Sequence, residues 1–260
     1  MVLNDVDYRS CVGKICKSVG FGDFRIVKYE NALNVDIMFL ETGFTKTCQM
    51  SNIRQGMVKD MMKPSVVGVG ITGSKYQPVS LNHKGEYETC HAYVVWRNLL
   101  ERCYLEKRQK VQPTYKGCTV SDNFKSYEYF YEWCLKQIGY NEKGFELDKD
   151  LLVKGNKVYS ENTCCFVPKE INNALTKRDG DRGECPIGVY WNKDCEAFVA
   201  KISEGGERRH LGLFSSKNDA FNAYKVAKEK YMKKLASKWV DRIDKKVYQA
   251  LIEYEVRIND

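Results

Sequence analysis

Between Glu196 and Ser203 the chain alternates. Phe198, Ala200 and Ile202 fall on one face of an extended backbone, and Val199, Lys201 and Ser203 on the other. That two-residue period predicts a β-strand with one face buried. Gly188–Asp194 reads as a shorter strand before it, and Arg208–Phe214 as a third strand after it. Glu204-Gly-Gly-Glu207 reads as the turn between the last two, because paired glycines supply the positive φ angles a tight hairpin needs. The period then changes. Phe221, Tyr224, Ala227, Tyr231 and Leu235 recur every three to four residues behind Ser215-Ser216, which predicts a capped amphipathic helix. Three strands on one helix bury one face of the sheet and leave the other free.

The same patterns organise the rest of the chain. Over residues 1–75, Val12–Lys17, Phe24–Tyr29, Val35–Phe39 and Phe44–Met50 read as strands. Turns are expected at Gly20–Asp23 and Thr42-Gly43, and Asn52–Asp60 reads as a helical turn followed by an edge strand. Short strands at this spacing predict a small β-barrel domain, a scaffold that serves peptide or nucleic-acid binding equally. Residues 76–89 continue a tract marked by Pro64, Pro78, Gly68, Gly70, Gly73 and Gly85, and read as an extended connector. No helix start follows Gly68-Val-Gly70, so it is not a dinucleotide site.

Residues 90–175 read as a second globular unit. It has a helix over His91–Tyr104 and an aromatic helix over Phe124–Ile138, whose ring stripe is expected to be core. A strand at Phe145–Asp150, a loop at Val153–Lys157, a strand at Tyr159–Pro168 and a helix at Lys169–Leu175 follow, in the order of a ββα finger. Residues 176–187 form a linker rich in glycine and charge. Residues 188–258 form the sheet domain, closed by a last helix carrying Trp239, Ile243, Val247, Leu251 and Tyr254. The fold class is α+β, multidomain.

Charge sharpens this picture. The net charge is +8, and residues 201–234 hold nine Lys/Arg against four Asp/Glu. A basic balance favours a polyanionic partner. Arg208 and His210 share one face of the third strand and Arg209 takes the other; arginine forks suit guanine edges and phosphates. No apolar run approaches a membrane span, and MVLNDVDYRS lacks the apolar core of a secretion signal, so the expected setting is the cytoplasm, without a membrane partner. Eleven cysteines without a C-x-x-C pair fit reduced thiols there, and their spacing matches no common zinc pattern.

The run Arg-Arg-His-Leu-Gly-Leu-Phe followed by Ala-Phe-Asn-Ala-Tyr resembles the Apetala-type DNA-binding domain of plant ethylene-response factors. In that family a three-stranded sheet lies in the DNA major groove and reads bases. The resemblance implies DNA contacts at Tyr190, Trp191, Lys193, Lys201, Arg208, Arg209 and His210. His210 and Phe198 stand where the family usually has Trp. Upstream, Trp96–Tyr104, Tyr115–Val120, Leu147–Asp150, Tyr159–Cys164 and Ile171–Asn173 resemble the motifs of phage HNH homing endonucleases, some of which carry an Apetala-type domain. That likeness makes 90–175 an HNH-like domain with a degenerate active site. It implies Asp148, Lys149 and Asn162 at the catalytic position and Asp148, Asp150 and Asn173 as ligands of Mg²⁺.

The departure lies in the base. An HNH enzyme uses a histidine where this chain has Lys149, and an ordinary lysine is protonated at neutral pH. The three histidines, His83, His91 and His210, all lie outside the finger. The expected function is sequence-biased double-stranded DNA binding. Two forms stay open: a Mg²⁺-dependent endonuclease that nicks or cleaves, and a finger kept without catalysis. The alternative is a phage interaction protein that binds a host protein such as a nuclease or polymerase. RNA is also open as a partner, because barrels and basic helices serve it equally.

Overall fold

A computed structural model describes residues 8–176 and 184–260. Part of the expected linker, 177–183, lies outside the described residues. The chain is mixed α and β with several small sheets. It divides into two compact units, Met1–Thr114 with Asp122–Tyr131, and Tyr115–Ser121 with Glu132–Asp260. The stretch 90–175, expected as one unit, is therefore shared between them.

In the first unit, strands β1 (Ile15–Ser18), β2 (Gly22–Asn31), β3 (Asn34–Phe39) and β4 (Thr45–Cys48) form an antiparallel meander in that order. No pairing among the described residues closes β4 onto β1, so the expected barrel is an open sheet. Its inner face carries Phe24, Ile26, Val35, Ile37 and Phe39, and helix α1 (Met50–Arg54) adds Met50 and Ile53. The edge strand expected after this turn is absent; residues 57–60 are irregular. There buried Asp60 accepts hydrogen bonds from the Thr42 hydroxyl (2.7 Å) and the Met62 amide (2.9 Å), a local pairing that replaces a ladder.

The expected connector contains a hairpin, β5 (Val79–Leu81) and β6 (Tyr87–Thr89). Asn82 Oδ1 accepts from the Lys84 and Glu86 amides, and Gly85 takes a φ of 77°. An asparagine turn and a left-handed glycine specify a hairpin tip without any apolar run. Helix α2 (His91–Tyr104) buries Trp96, Leu99 and Leu100, and Trp96 Nε1 donates to the Phe124 carbonyl at 2.7 Å. Helix α3 (Glu106–Val111) buries nothing. The aromatic helix is shorter than expected, with a 3₁₀ turn at Asn123–Lys125 before α4 (Tyr127–Leu135), but its stripe is core: Phe124, Tyr127, Phe130 and Cys134 are fully buried.

The second unit holds the finger and the C-terminal sheet. Strand β7 (Thr119–Val120) pairs in parallel with β9 (Val158–Tyr159). Strand β8 (Phe145–Asp148) pairs antiparallel with β10 (Cys165–Pro168), and α5 (Lys169–Leu175) follows directly. Strands β11 (Val189–Asn192), β12 (Ala197–Glu204) and β13 (Glu207–Phe214) form an antiparallel sheet, with Gly205-Gly206 as the two-residue turn at φ 60° and 95°. Helix α6 (Lys217–Trp239) starts at Ser216, whose hydroxyl accepts from the Asn218 and Asp219 amides. The single last helix expected from Trp239 onward is broken at 240–244. Asp244 then caps α7 (Lys245–Ile252), accepting from the Lys246 amide. No helix among the described residues is long and apolar enough to cross a membrane.

Helix α6 lies against all three strands of the last sheet. Gly188 opens β11 at φ 78°, and a Cβ there would stand 2.0 Å from the Tyr224 ring. Gly188→Ala therefore combines a left-handed backbone with a clash and is expected to destabilise the second unit by about 2–4 kcal/mol in denaturant unfolding. A change under about 0.5 kcal/mol, the level of an indifferent surface substitution, would show that the helix does not fix this strand.

Candidate nucleic-acid interface and the ββα finger

Register sorts the sheet's side chains, because residues directly opposite one another share a face. Tyr190 faces Val199, Val199 faces Leu213, Lys201 faces His210, and Ser203 faces Arg208. Alternation along β12 places all of these on the face away from α6. The other face carries Ala200 and Ile202, both buried, together with Phe198. Trp191 pairs with Phe198 on this helix side, their rings edge to face at 4.8 Å. Arg209 lies opposite Ile202 and its Nη2 donates to Glu204 Oε1 at 2.7 Å. Lys193 sits exposed in the turn between β11 and β12.

The seven expected DNA contacts therefore separate. Tyr190, Lys201, Arg208 and His210 gather on the open face; Trp191, Arg209 and Lys193 do not. Lys201 Nζ lies 4.9 Å from the Tyr190 ring centre, a cation–π pair that holds the ammonium over the sheet. Arg208 and His210 are exposed. Leu213 and Ser203 share this face and were not among the expected contacts. For Leu213 the reason is a bulge. Ala200 faces Gly212 but the next residue, Lys201, faces His210, so β13 carries Leu211 as an extra residue. Counting alternate positions from Arg208 would place Leu213 against the helix.

In the finger, Asp148 ends β8 and is buried. Its Oδ1 accepts from the Asp150 amide at 2.9 Å and the Leu151 amide at 2.7 Å, closing the turn. Burial pushes its carboxyl above the ordinary value, against the pull of those amides and of Lys149. Lys149 is also buried. Its Nζ donates to Asp150 Oδ1 at 2.5 Å and to the Asn156 carbonyl at 3.0 Å, and lies 5.7 Å from the Tyr159 ring centre. Asn156, absent from the expected set, completes the loop. Its Nδ2 donates to the Lys149 and Val158 carbonyls at 2.9 and 2.6 Å, and its Oδ1 accepts from the Val158 amide.

Asn162 is exposed in the turn before β10, and Asn173 is exposed on α5. Asn172, the neighbour of Asn173, donates to Glu146 Oε2 and ties α5 to β8. Burial pushes the Cys164 thiol up to about 12 and the Cys165 thiol up as well. None of the eleven cysteines is in a disulfide.

These residues do not fit a divalent cation. Among the described residues no three His, Cys, Asp or Glu side chains gather where one could be held. One Asp148 oxygen serves two amides, and Asp150 already pairs with an ammonium. A second positive charge beside a buried lysine is opposed by both repulsion and desolvation.

No family model matches the chain, and neither a curated protein nor a solved structure matches it.

Lys149→Met removes two hydrogen bonds to a charged donor and leaves Asp150 without its partner. It is expected to cost about 1–3 kcal/mol in unfolding experiments, and neither Mg²⁺ nor EDTA should move the midpoint of the wild-type chain. A Mg²⁺-dependent rise in the midpoint would contradict this account of the finger. A second test concerns Lys228, buried in α6, whose ammonium donates to the Ala174 carbonyl at the end of α5. Burial holds its pKa down at about 8 instead of 10.5, although Glu204 pulls the other way. Between those values the unfolded chain keeps a proton that the folded chain has released. The stability of wild type relative to Lys228→Met should therefore rise with pH across that window, by on the order of 3 kcal/mol. The comparison cancels the titration of the buried thiols; a flat difference would contradict the buried ammonium.

Proposed function

We propose that this chain binds double-stranded DNA through the open face of the β11–β13 sheet, as a protein of the HNH/Apetala type whose finger no longer cuts. The observation that carries the reading is the convergence of Tyr190, Lys201, Arg208 and His210 on the one face that α6 leaves uncovered. The resemblance of the sequence motifs supports the same partner. In the family that the motifs resemble, a three-stranded sheet lies in the major groove, where guanidinium forks meet guanine edges and ammonium groups meet phosphates.

The finger's part is positional. Cleavage of a phosphodiester needs a base for water and a counter-charge for the leaving oxygen. Lys149 stands at the base's position as a buried, doubly hydrogen-bonded ammonium, and Asp148 is committed to backbone amides. A protonated lysine accepts no proton from water. The finger in this reading holds α5, and through α5 the long helix behind the reading sheet.

Arg208→Ala is expected to weaken binding to a selected duplex by about 1–3 kcal/mol and to relax its sequence preference. Binding should fall steeply with added salt, because neutralised phosphates release counterions. Supercoiled plasmid incubated with the chain and Mg²⁺ should shift in a gel and return to the supercoiled position after detergent. Nicked or linear product that survives detergent would overturn the non-cutting half of the proposal. No shift on any DNA, with or without Arg208, would overturn the binding half and favour a protein partner.

A further inference from the structure

The open face carries more than cations. Tyr190, Val199 and Leu213 lie in direct register and form an apolar row across all three strands. Val199 is buried, whereas Leu213 is 55% exposed. A single exposed leucine is ordinary. This one is turned outward by a backbone device. Leu211 is the extra residue of the bulge, and Gly212 beside it adopts a φ of 143°, in the region that favours glycine. With unbroken alternation from Arg208 and His210, Gly212 and Phe214 would face outward and Leu213 would face α6. The bulge reverses this: Phe214 lies opposite Phe198 on the helix side, and Leu213 emerges among the cations. Re-aiming a side chain next to a binding site is a recurrent use of bulges.

The neighbours of this apolar row define its partner. Lys201 and His210 form the next row along the strands, and Ser203 and Arg208 the one after. Successive rows on one face stand about 7 Å apart, two residues of strand. A partner must therefore offer anionic or acceptor groups and, a few ångströms away, an apolar group at the same depth. The major groove of B-form DNA does so at thymine, the one base with a methyl group on that edge. Duplex RNA has uracil without the methyl, in a groove too deep and narrow for side chains to read.

We infer that Leu213 contacts a thymine 5-methyl group adjacent to the base pairs met by Lys201, His210 and Arg208, so that the preferred duplexes contain thymine at a fixed distance from the polar contacts. The inference rests on the DNA-binding role proposed above and adds the substrate feature that the bulge selects.

The test uses the full chain and a duplex pool with a randomised core. Sequences retained by the chain are resynthesised with deoxyuridine in place of thymidine, which removes only the methyl groups. The wild type should bind the deoxyuridine duplex about fourfold more weakly for each contacted methyl. Leu213→Ala, a change at an exposed position, should bring the ratio of the two affinities closer to one, and Leu213→Asp should remove the preference for the methylated duplex. Arg208→Ala should weaken both while keeping their ratio. Equal affinity of the wild type for the two duplexes would overturn the thymine inference and leave DNA binding standing. Failure of the chain to retain any duplex would overturn both.

Discussion

A three-stranded sheet has two faces, and this one has a single helix to cover them. Helix α6 decides which face is lost to packing. Its Tyr224 ring fills the space that a side chain at position 188 would need, and its Tyr231 hydroxyl accepts from the Gly205 amide at 2.9 Å, fixing the hairpin turn from behind. Ala220, Phe221, Met232, Leu235 and Ala236 are buried along the same helix. The face bearing Tyr190, Lys201, Arg208 and His210 is left open by the same act of packing. The helix also anchors elsewhere. Lys228 caps α5, Lys238 Nζ and Trp239 Nε1 both donate to Glu170 Oε2, and Lys225 donates to the Val256 carbonyl. Trp239 meets the Phe145 ring edge to face. Sheet, finger and C-terminal segment thus share one structural axis within the second unit.

The finger is a ββα unit organised around a cation of its own. The β8–β10 hairpin and α5 are in place, and Asp148 ends its strand. What stands beside it is a cation that belongs to the chain. Lys149 crosses the loop to the Asn156 carbonyl, and Asn156 returns two hydrogen bonds to the main chain on either side. A loop closed by its own ammonium needs no metal ion to hold it. Removing Asp150 would leave the buried Lys149 ammonium without its counter-ion, whereas Asp150 itself is exposed.

Much of the second unit was legible in the sequence because each signal there is local. The Gly205-Gly206 turn, the Ser216 cap and the three-to-four period of α6 each act within a few residues, and all appear where expected. The division of Arg208 and His210 from Arg209 follows from strand alternation alone. The bulge was not legible, since one extra residue in β13 is visible only against its partner strand, and so Leu213 was missed. Asn156 was missed for a similar reason: its hydrogen bonds depend on how a loop closes. In the first unit, strand positions were readable from alternation, but sheet closure is a tertiary property, and β1 and β4 remain edges. The β5–β6 hairpin did have a signal, Asn82 and Gly85 between alternating triplets, which the absence of buried side chains obscured.

The central claim is that nucleic acid lies on the open face of the β11–β13 sheet, and lysine footprinting tests it most directly. Lys201 is on that face; Lys230, Lys233 and Lys234 are exposed on α6, which packs against the other. The chain would be reductively methylated with and without a saturating selected duplex, and each lysine quantified by mass spectrometry. The account predicts that DNA shields Lys201 and leaves the three helix lysines as reactive as in the free chain. Shielding of Lys230, Lys233 and Lys234 with Lys201 unchanged would contradict it, and would move the interface to the helix.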